Sequence, residues 1–349
     1  MRPFVKLANP ATYVACDWDL SCDAAGREHW CGFFKRHINT ILALGISADI
    51  ARDKDAVEAT QRAEACRAEF NATIDAFMNE TDRSNRVTIL TLDEWRDRIL
   101  RRHGFGDAFV DLKNRENEKM LPLLPTVCRQ LDQLTGEEQL RSVIEGVFAG
   151  NIFDMGAEAT AKTFLGKSPD FFGTRATLPK RPWLIDQYDG LATRLMVGPV
   201  HRKAVFFIDN AGSDFLLGAL PMIRWLAMRG TRVVLVANER PTLNDMTIHD
   251  VNLWWPRIIE AEPSLGTLPI ERVSSGTGEP LIDLSKVSDD LNDAAGDADL
   301  VILEGMGRGV ESNLNAEFSC DAVNLAMLKD IHIASRYGGN VFDVVCRYR

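Results

Sequence analysis

The stretch KAVFFIDNAGSDFLLGALPMIRWLAMRGTRVVLVAN, residues 203 to 238, holds a complete folding unit. It opens with the apolar run KAVFFID (203 to 209) and closes with a second run, TRVVLVAN (231 to 238). Such runs, apolar at nearly every position rather than every second one, suit parallel strands covered on both faces. Between them, SDFLLGALPMIRWLAMRG supplies roughly five helical turns at 3.6 residues each, with Gly230 as a stop signal and Pro221 as a predicted kink. Strand, helix and strand together make a βαβ unit, and with it an open α/β sheet.

Working outward, ADLVILEG (298 to 305) reads as a further strand of the same kind, and NVFDVVCRY (340 to 348) as a final one. CDAVNLAMLKDIHIASRYG (320 to 338) reads as a helix, and VSSGTGEP (273 to 280) as an exposed loop. The first 150 residues differ in character. Trp30, Phe33, Phe34, Ile38, Ile41 and Leu42 recur near the helical period, as do Ala56, Ala59, Ala63, Cys66, Phe70, Ile74 and Phe77. LDEWRDRILRRHG (92 to 104) runs from acids to bases before Gly104, the order a helix dipole favours. Segments 106 to 121 and 123 to 149 also read as helical, whereas residues 1 to 24 read as an irregular arm on the surface. The chain therefore divides into a mostly helical part, 1–150, and an α/β part, 151–349.

Composition narrows the functional classes. The chain has 349 residues, 46% hydrophobic and 26% charged, within the ordinary globular range. A net charge of −10 predicts no nucleic-acid partner, since phosphate neutralisation needs clustered Lys and Arg. No apolar run reaches the roughly 18 residues of a bilayer-spanning helix, so no membrane is expected. The seven cysteines are odd in number and lack a C-x-x-C pair, which fits a reducing, cytoplasmic setting. Cys16, Cys22 and His29 do not have zinc-knuckle spacing. Nothing in the sequence speaks to oligomeric state.

The chemistry gathers at strand ends, where open α/β sheets bind ligands. Asp209 and Asn210 end the first strand, and Asn244 and Asp245 lie in the loop after the next, NERPTLNDMT (238 to 247). If those strands are parallel neighbours, two carboxylates and an amide oxygen share one rim and form a hard, partly filled coordination sphere. Mg²⁺ or Mn²⁺ suits it. The third strand runs into EGMGRG (304 to 309), whose glycines allow a sharp turn and whose Arg308 is able to fork onto phosphate oxygens. The spacing G-x-G-x-G does not match a dinucleotide fingerprint. Ala211, two residues after Asp209, removes the second acid of an aspartyl-phosphate scheme, so metal activation of water is the better route. Lys329, among apolar neighbours, reads on sequence alone as snorkelling to water.

Residues 206 to 247 and 304 to 348, with their intact E-G-M-G-R, together resemble the metal-dependent damage-control phosphatases, in the subfamily marked by that signature. EGVFAGNIFDMG (145 to 156) resembles the family's segment joining the helical part to the sheet. The resemblance implies a helical N-terminal domain on a three-layer, Rossmann-like α/β/α core with a mainly parallel sheet. It implies hydrolysis of a small phosphate ester, 4′-phosphopantetheine or its oxidatively damaged forms, with a sugar phosphate or other phosphometabolite as the alternative. A non-catalytic metabolite-binding module is the third reading. A divalent cation, Mn²⁺, Ni²⁺ or Co²⁺ with Mg²⁺ also admissible, is implied on Asp209, Asn210 and Asp245. The catalytic set is then Asp209, Asn210, Asp245 and Asp154, with substrate binding by Asn151, Glu304, Gly305, Gly307, Arg308 and Lys329. For Lys329 the resemblance reverses the snorkelling reading.

Overall fold

The computed structural model describes residues 1–152 and 170–349. Seven strands form one sheet in the order β1-β7-β6-β5-β2-β3-β4. They are β1 (Ile185–Asp186), β2 (Lys203–Phe207), β3 (Arg232–Ala237), β4 (Ile270–Ser274), β5 (Leu300–Glu304), β6 (Asp321–Met327) and β7 (Val344–Tyr348). Every neighbouring pair is parallel except β6 with β7. The three expected strands are β2, β3 and β5, and β2 and β5 are buried along their whole length. That is what a near-continuous apolar run predicts for a strand covered on both faces.

The chain moves outward from β2 through β3 to β4, then crosses back to place β5 on the other side of β2. The carboxyl ends of β2 and β5 therefore flank a topological switch point, where connections leave in opposite directions and open a crevice. Registers Phe207↔Val236 and Phe207↔Leu303 bring the ends of β2, β3 and β5 level. The residues just beyond them must meet.

The helical part begins with α1 (Ala24–Ile50), α2 (Ala56–Asn79) and α3 (Ile89–Arg102). Asp23 caps α1 through Gly26 N, and the periodic positions Trp30, Phe33, Phe34, Ile38, Ile41 and Leu42 form its buried face. Thr88 and Thr91 cap α3 reciprocally, and Arg101 and Arg102 close its last turn. One core cluster holds α1 to α3 side chains together with Met306, Ala326, Leu328 and Val345, so the helices rest on the sheet's strand ends. Then follow α4 (Val110–Met120), α5 (Leu124–Asp132) and α6 (Gly136–Gly150). The single helix expected over 123 to 149 is thus broken between α5 and α6.

Four further expectations need correction. Residues 320 to 338 are not one helix: 321–327 form β6, followed by a short helix, Ile331–Arg336. Ala, Leu and Met favour helices intrinsically, but a slot between β5 and β7 takes the segment as a strand buried from Ala322 onward. The 273 to 280 loop is folded inward, with Ser275, Thr277 and Glu279 buried, because Glu239 N and Ser275 N bond Thr277 O and Ala237 O. The arm at 1–24 is irregular yet sends Phe4 and Leu7 into a core cluster with β2, β3 and β5 side chains. Pro221 does not lie within a regular α-helix: a π-helical turn, Asp214–Ala219, runs directly into the α-helix Leu220–Met228, and Pro221 follows the point where the hydrogen-bond pattern changes.

Candidate active site

Asp209 leaves β2 with its backbone N–H bonded to Glu304 Oε2 at 3.0 Å, so the last residue of β5 fixes the start of the β2 loop. Asp245 reaches the same place from the loop after β3. Met246 N bonds Asp209 O at 2.9 Å, Ala211 N bonds Asn244 O at 2.9 Å, and Asn210 and Asp245 form an isolated bridge. Asp209, Asn210 and Asp245 are all buried and all line one pocket. The rim expected from parallel β2 and β3 exists.

The two carboxylates meet on a single guanidinium. Arg308 Nη1 ion-pairs with Asp209, while Nη2 pairs with Asp245 Oδ2 at 2.7 Å and donates to Asn238 Oδ1 at 3.1 Å. The sequence leads to the expectation that Arg308 binds substrate phosphate; it is buried, and both terminal nitrogens are engaged. Burial works against its charge, yet Asp209 and Asp245 overcome that and raise its pKa. Burial also pushes the Asp209 carboxyl well above the usual carboxylate range. Arg308 and Lys329 pull it back, while Asp245 and Asp214 push it further.

The glycine segment is more ordered than a loop. Gly305 has φ +98°, and Gly307–Glu311 winds into a π-helical turn. Gly305 N bonds Leu325 O and Gly309 N bonds Gly305 O, so two of its amides already have backbone acceptors. A Cβ on Gly305 would overlap the Asp209 carboxylate. This approach, together with the positive φ, admits only glycine.

Glu304, at the end of β5, is fully buried and accepts from Asp209 N and from Asn151 Nδ2 (3.0 Å). Burial raises its pKa well above the ordinary value, Asp214 and Asp209 add to the rise, and Lys329 opposes it. Asn151, just past α6, also donates to Asp214 Oδ2 at 2.9 Å. Its carbonyl accepts from Lys329 Nζ at 2.7 Å. Lys329 does not snorkel: it lies beyond β6 rather than on a helix and is fully buried beside the carboxylates. Gly307 lines the pocket. Asp154 lies outside the described residues.

Sequence reasoning missed Asp214. It reads as an ordinary acid in a helix's first turn, but it is fully buried at the start of the π-helical turn. Its Oδ2 accepts from Asn210 N (3.1 Å), Asn210 Nδ2 (3.0 Å) and Asn151 Nδ2. Its buried Oδ1 accepts from no N–H or hydroxyl among the described residues, and its carboxyl hydrogen-bonds that of Glu304. Asp209, Asp214 and Glu304 can bring carboxylate oxygens within 4.8 Å of one another. Because the Asn210 amide nitrogen is committed to Asp214, its oxygen is the atom left to face the pocket. This all-oxygen donor set fits a hard divalent cation.

The opposite wall comes from the helical part: Trp30, Phe33 and Phe34 of α1, and Ile89, Asp93 and Arg96 of α3. Burial pushes the Asp93 carboxyl up to about 7; Arg96 opposes this, while Asp97, Asp245 and Glu279 reinforce it. Neither Asp93 nor Arg96 stood out in the sequence, where they belong to the polar share of an amphipathic helix. A larger cavity, about 290 Å³, lies between the N-terminal arm and residues 310–317 and contains none of the residues singled out.

A mainly parallel α/β sheet with an acidic, oxygen-rich crevice at its switch point is an open α/β fold of the kind that binds its ligands beyond the carboxyl ends of its strands. The profile of the Damage-control phosphatase ARMT1-like domain matches residues 25–345. The chain is 38% identical over 257 residues to a damage-control phosphatase of Arabidopsis thaliana, covering 72% of this chain and 70% of that one. It therefore belongs to the ARMT1-like damage-control phosphatase domain family, a phosphatase family. It is also 35% identical to pantothenate kinase 2 of Arabidopsis thaliana, over 100% of this chain but 42% of that protein. To the 4′-phosphopantetheine phosphatase of Mus musculus it is 29% identical, over 99% of this chain and 49% of that one. The chain thus spans less than half the length of these two relatives. A DUF89 family protein from Pyrococcus horikoshii shares the fold, with TM-score 0.64, 17% identity, and coverage of 91% and 96%. Among the described residues no helix is long and apolar enough to cross a membrane.

Proposed function

We propose that this chain hydrolyses a small phosphate monoester, 4′-phosphopantetheine or an oxidatively damaged form of it, with a divalent cation held by Asp209, Asn210 and Asp245. The observation that carries this reading is the meeting of Asp209, Asn210 and Asp245 in one pocket at the switch point, roofed by apolar side chains of α1. The name of the mouse relative, 4′-phosphopantetheine phosphatase, supports the substrate. In the same reading the chain is organised as a helical part, 1–150, and a phosphatase core, 151–349.

When bound, the cation supplies Lewis-acid polarisation of a phosphoryl oxygen and a water of lowered pKa. The chain's own residues do the rest. Asp214 holds Asn210 by its backbone N–H and its side-chain amide, and Glu304 holds the Asp209 backbone. Arg308 keeps Asp209 and Asp245 facing one another and offsets their charge. Lys329 places a buried positive charge beside them and ties the Asn151 carbonyl to the site. Attack in line with the leaving alcohol then needs little reorganisation, since the charges are fixed in advance. Trp30, Phe33 and Phe34 cover the crevice and limit water beyond the reacting one.

A panel of phosphate esters assayed with and without Mn²⁺, Ni²⁺, Co²⁺ and Mg²⁺ tests the reading. Metal-dependent phosphate release fastest from 4′-phosphopantetheine supports it. Preference for a sugar phosphate replaces the substrate, and no release with any cation rejects the enzymatic role.

A further inference from the structure

Arg96 of α3 is almost fully buried, although it belongs to the helical part and not to the sheet. All three guanidinium nitrogens are committed: Nε to Asp97 Oδ1 at 2.8 Å, Nη1 to Asp93 Oδ1 at 2.6 Å, and Nη2 to Thr242 Oγ1 at 3.1 Å. The first two partners lie on its own helix. The third lies in the loop after β3. Thr242 opens a tight turn closed by Asp245 N donating to Thr242 O at 3.1 Å, so the hydroxyl gripped by Arg96 sits at the base of the turn that presents Asp245.

That turn is strained. Leu243, between Thr242 and Asp245, has φ +42°, a conformation that a side chain with a Cβ adopts at a cost of about 1–2 kcal/mol. Such strain persists only where the surroundings over-determine it. Here the Leu243 side chain packs into the α1–α3 core cluster, and Arg96 holds the preceding residue. On the other side Asn238 Nδ2 donates to Asp245 Oδ2 at 3.2 Å, and Ala211 N and Met246 N bind the turn to the end of β2.

We infer that Arg96 is a positioning residue for the site, its hydrogen bond to Thr242 holding the strained 242–245 turn so that the Asp245 carboxylate faces Asp209. The helical part is then a component of the cation site and not only a wall for substrate. This inference rests on the reading of Asp245 as a cation ligand, and its test separates the two.

Thr242→Val keeps the shape of the side chain and removes the oxygen that Arg96 grips. Mn²⁺ affinity is measured on the full chain by electron paramagnetic resonance, beside thermal unfolding without metal, for Thr242→Val, Thr242→Ser, Arg96→Lys and Asp245→Asn. The expectation for Thr242→Val is Mn²⁺ affinity lower by about 10-fold, the scale of lost outer-shell support, with Thr242→Ser restoring it. Arg96→Lys, which lacks the planar three-way fork, weakens affinity similarly while the chain stays folded. Wild-type affinity in both Thr242→Val and Arg96→Lys, alongside lost affinity in Asp245→Asn, overturns the positioning role and leaves the cation site standing. Unchanged affinity in Asp245→Asn overturns both.

Discussion

Gly305 stands against the Asp209 carboxylate with no room between them for a Cβ, and it does so at φ +98°. One residue follows the end of β5 and the other follows the end of β2, adjacent parallel strands. A backbone brought this close fixes the carboxylate more rigidly than a side-chain contact, because a peptide has no rotamers to change. Gly305→Ala meets two penalties at once, an unfavourable φ and a displaced Asp209. Expected are a stability loss of about 1–3 kcal/mol from backbone strain and a larger fall in kcat than in stability. Chemical denaturation and steady-state kinetics on one preparation check this. An alanine variant as active as wild type would show that Asp209 need not stay where Gly305 puts it.

Asp209→Ala removes the carboxylate shared by Arg308 and the proposed cation. Phosphate release should fall by on the order of 10³ or more, the scale of losing a principal electrostatic group, with Mn²⁺ affinity lost in parallel. Isothermal titration with Mn²⁺ and a phosphate-release assay check the two outcomes. Retained affinity with lost turnover would assign the cation to Asp214 and Glu304 instead.

Lys329→Met leaves the Asn151 carbonyl without its ammonium donor and removes a charge that lowers the pKa of both Asp209 and Glu304. Breaking a buried charged contact costs about 3–5 kcal/mol. Both carboxyls rise further without Lys329, so ionising them in the fold becomes costlier. The variant's deficit should therefore grow as pH is raised, read from urea unfolding across a pH series.

Asp93 provides a pH signature on the α3 side. Its folded pKa of about 7 lies above the unfolded value near 4. The folded chain thus holds this proton over a window where the unfolded chain has lost it. Its contribution is fully present below about pH 4 and declines as pH rises through 7, with a limiting slope of about 1.4 kcal/mol per pH unit. Asp93→Asn keeps a neutral group there at every pH. Relative to wild type it should gain stability between pH 5 and pH 8. A parallel pair of stability curves would exclude a titrating Asp93.

Much of this protein is legible from residue order. The continuous apolar runs at 203–209, 231–238 and 298–305 have one economical use, as buried parallel strands, and they place Asp209, the Asn244-Asp245 pair and Glu304 at strand ends. The helical period of Trp30, Phe33 and Phe34 likewise identifies the face that turns inward. These are local properties: period, length and the residues that punctuate them.

Other features depend on what a segment meets after folding. Residues 321–327 become a strand because a slot between β5 and β7 binds their backbone, which outweighs their helix-forming composition. Asp214, the first residue of a π-helical turn, enters the site by bonding Asn210 and Asn151, and Arg96 because α3 passes the turn that carries Asp245. Arg308 shows the same dependence. Its place in the sequence suggests a fork for phosphate, and the fold also sets it between two carboxylates whose proximity no single segment encodes. Residue order by itself determined which groups reach the strand ends, since hydrophobic period and chain punctuation act within a segment. Which of those groups hold one another was decided by tertiary structure, since charge pairing and desolvation act across distances that the chain closes only on folding.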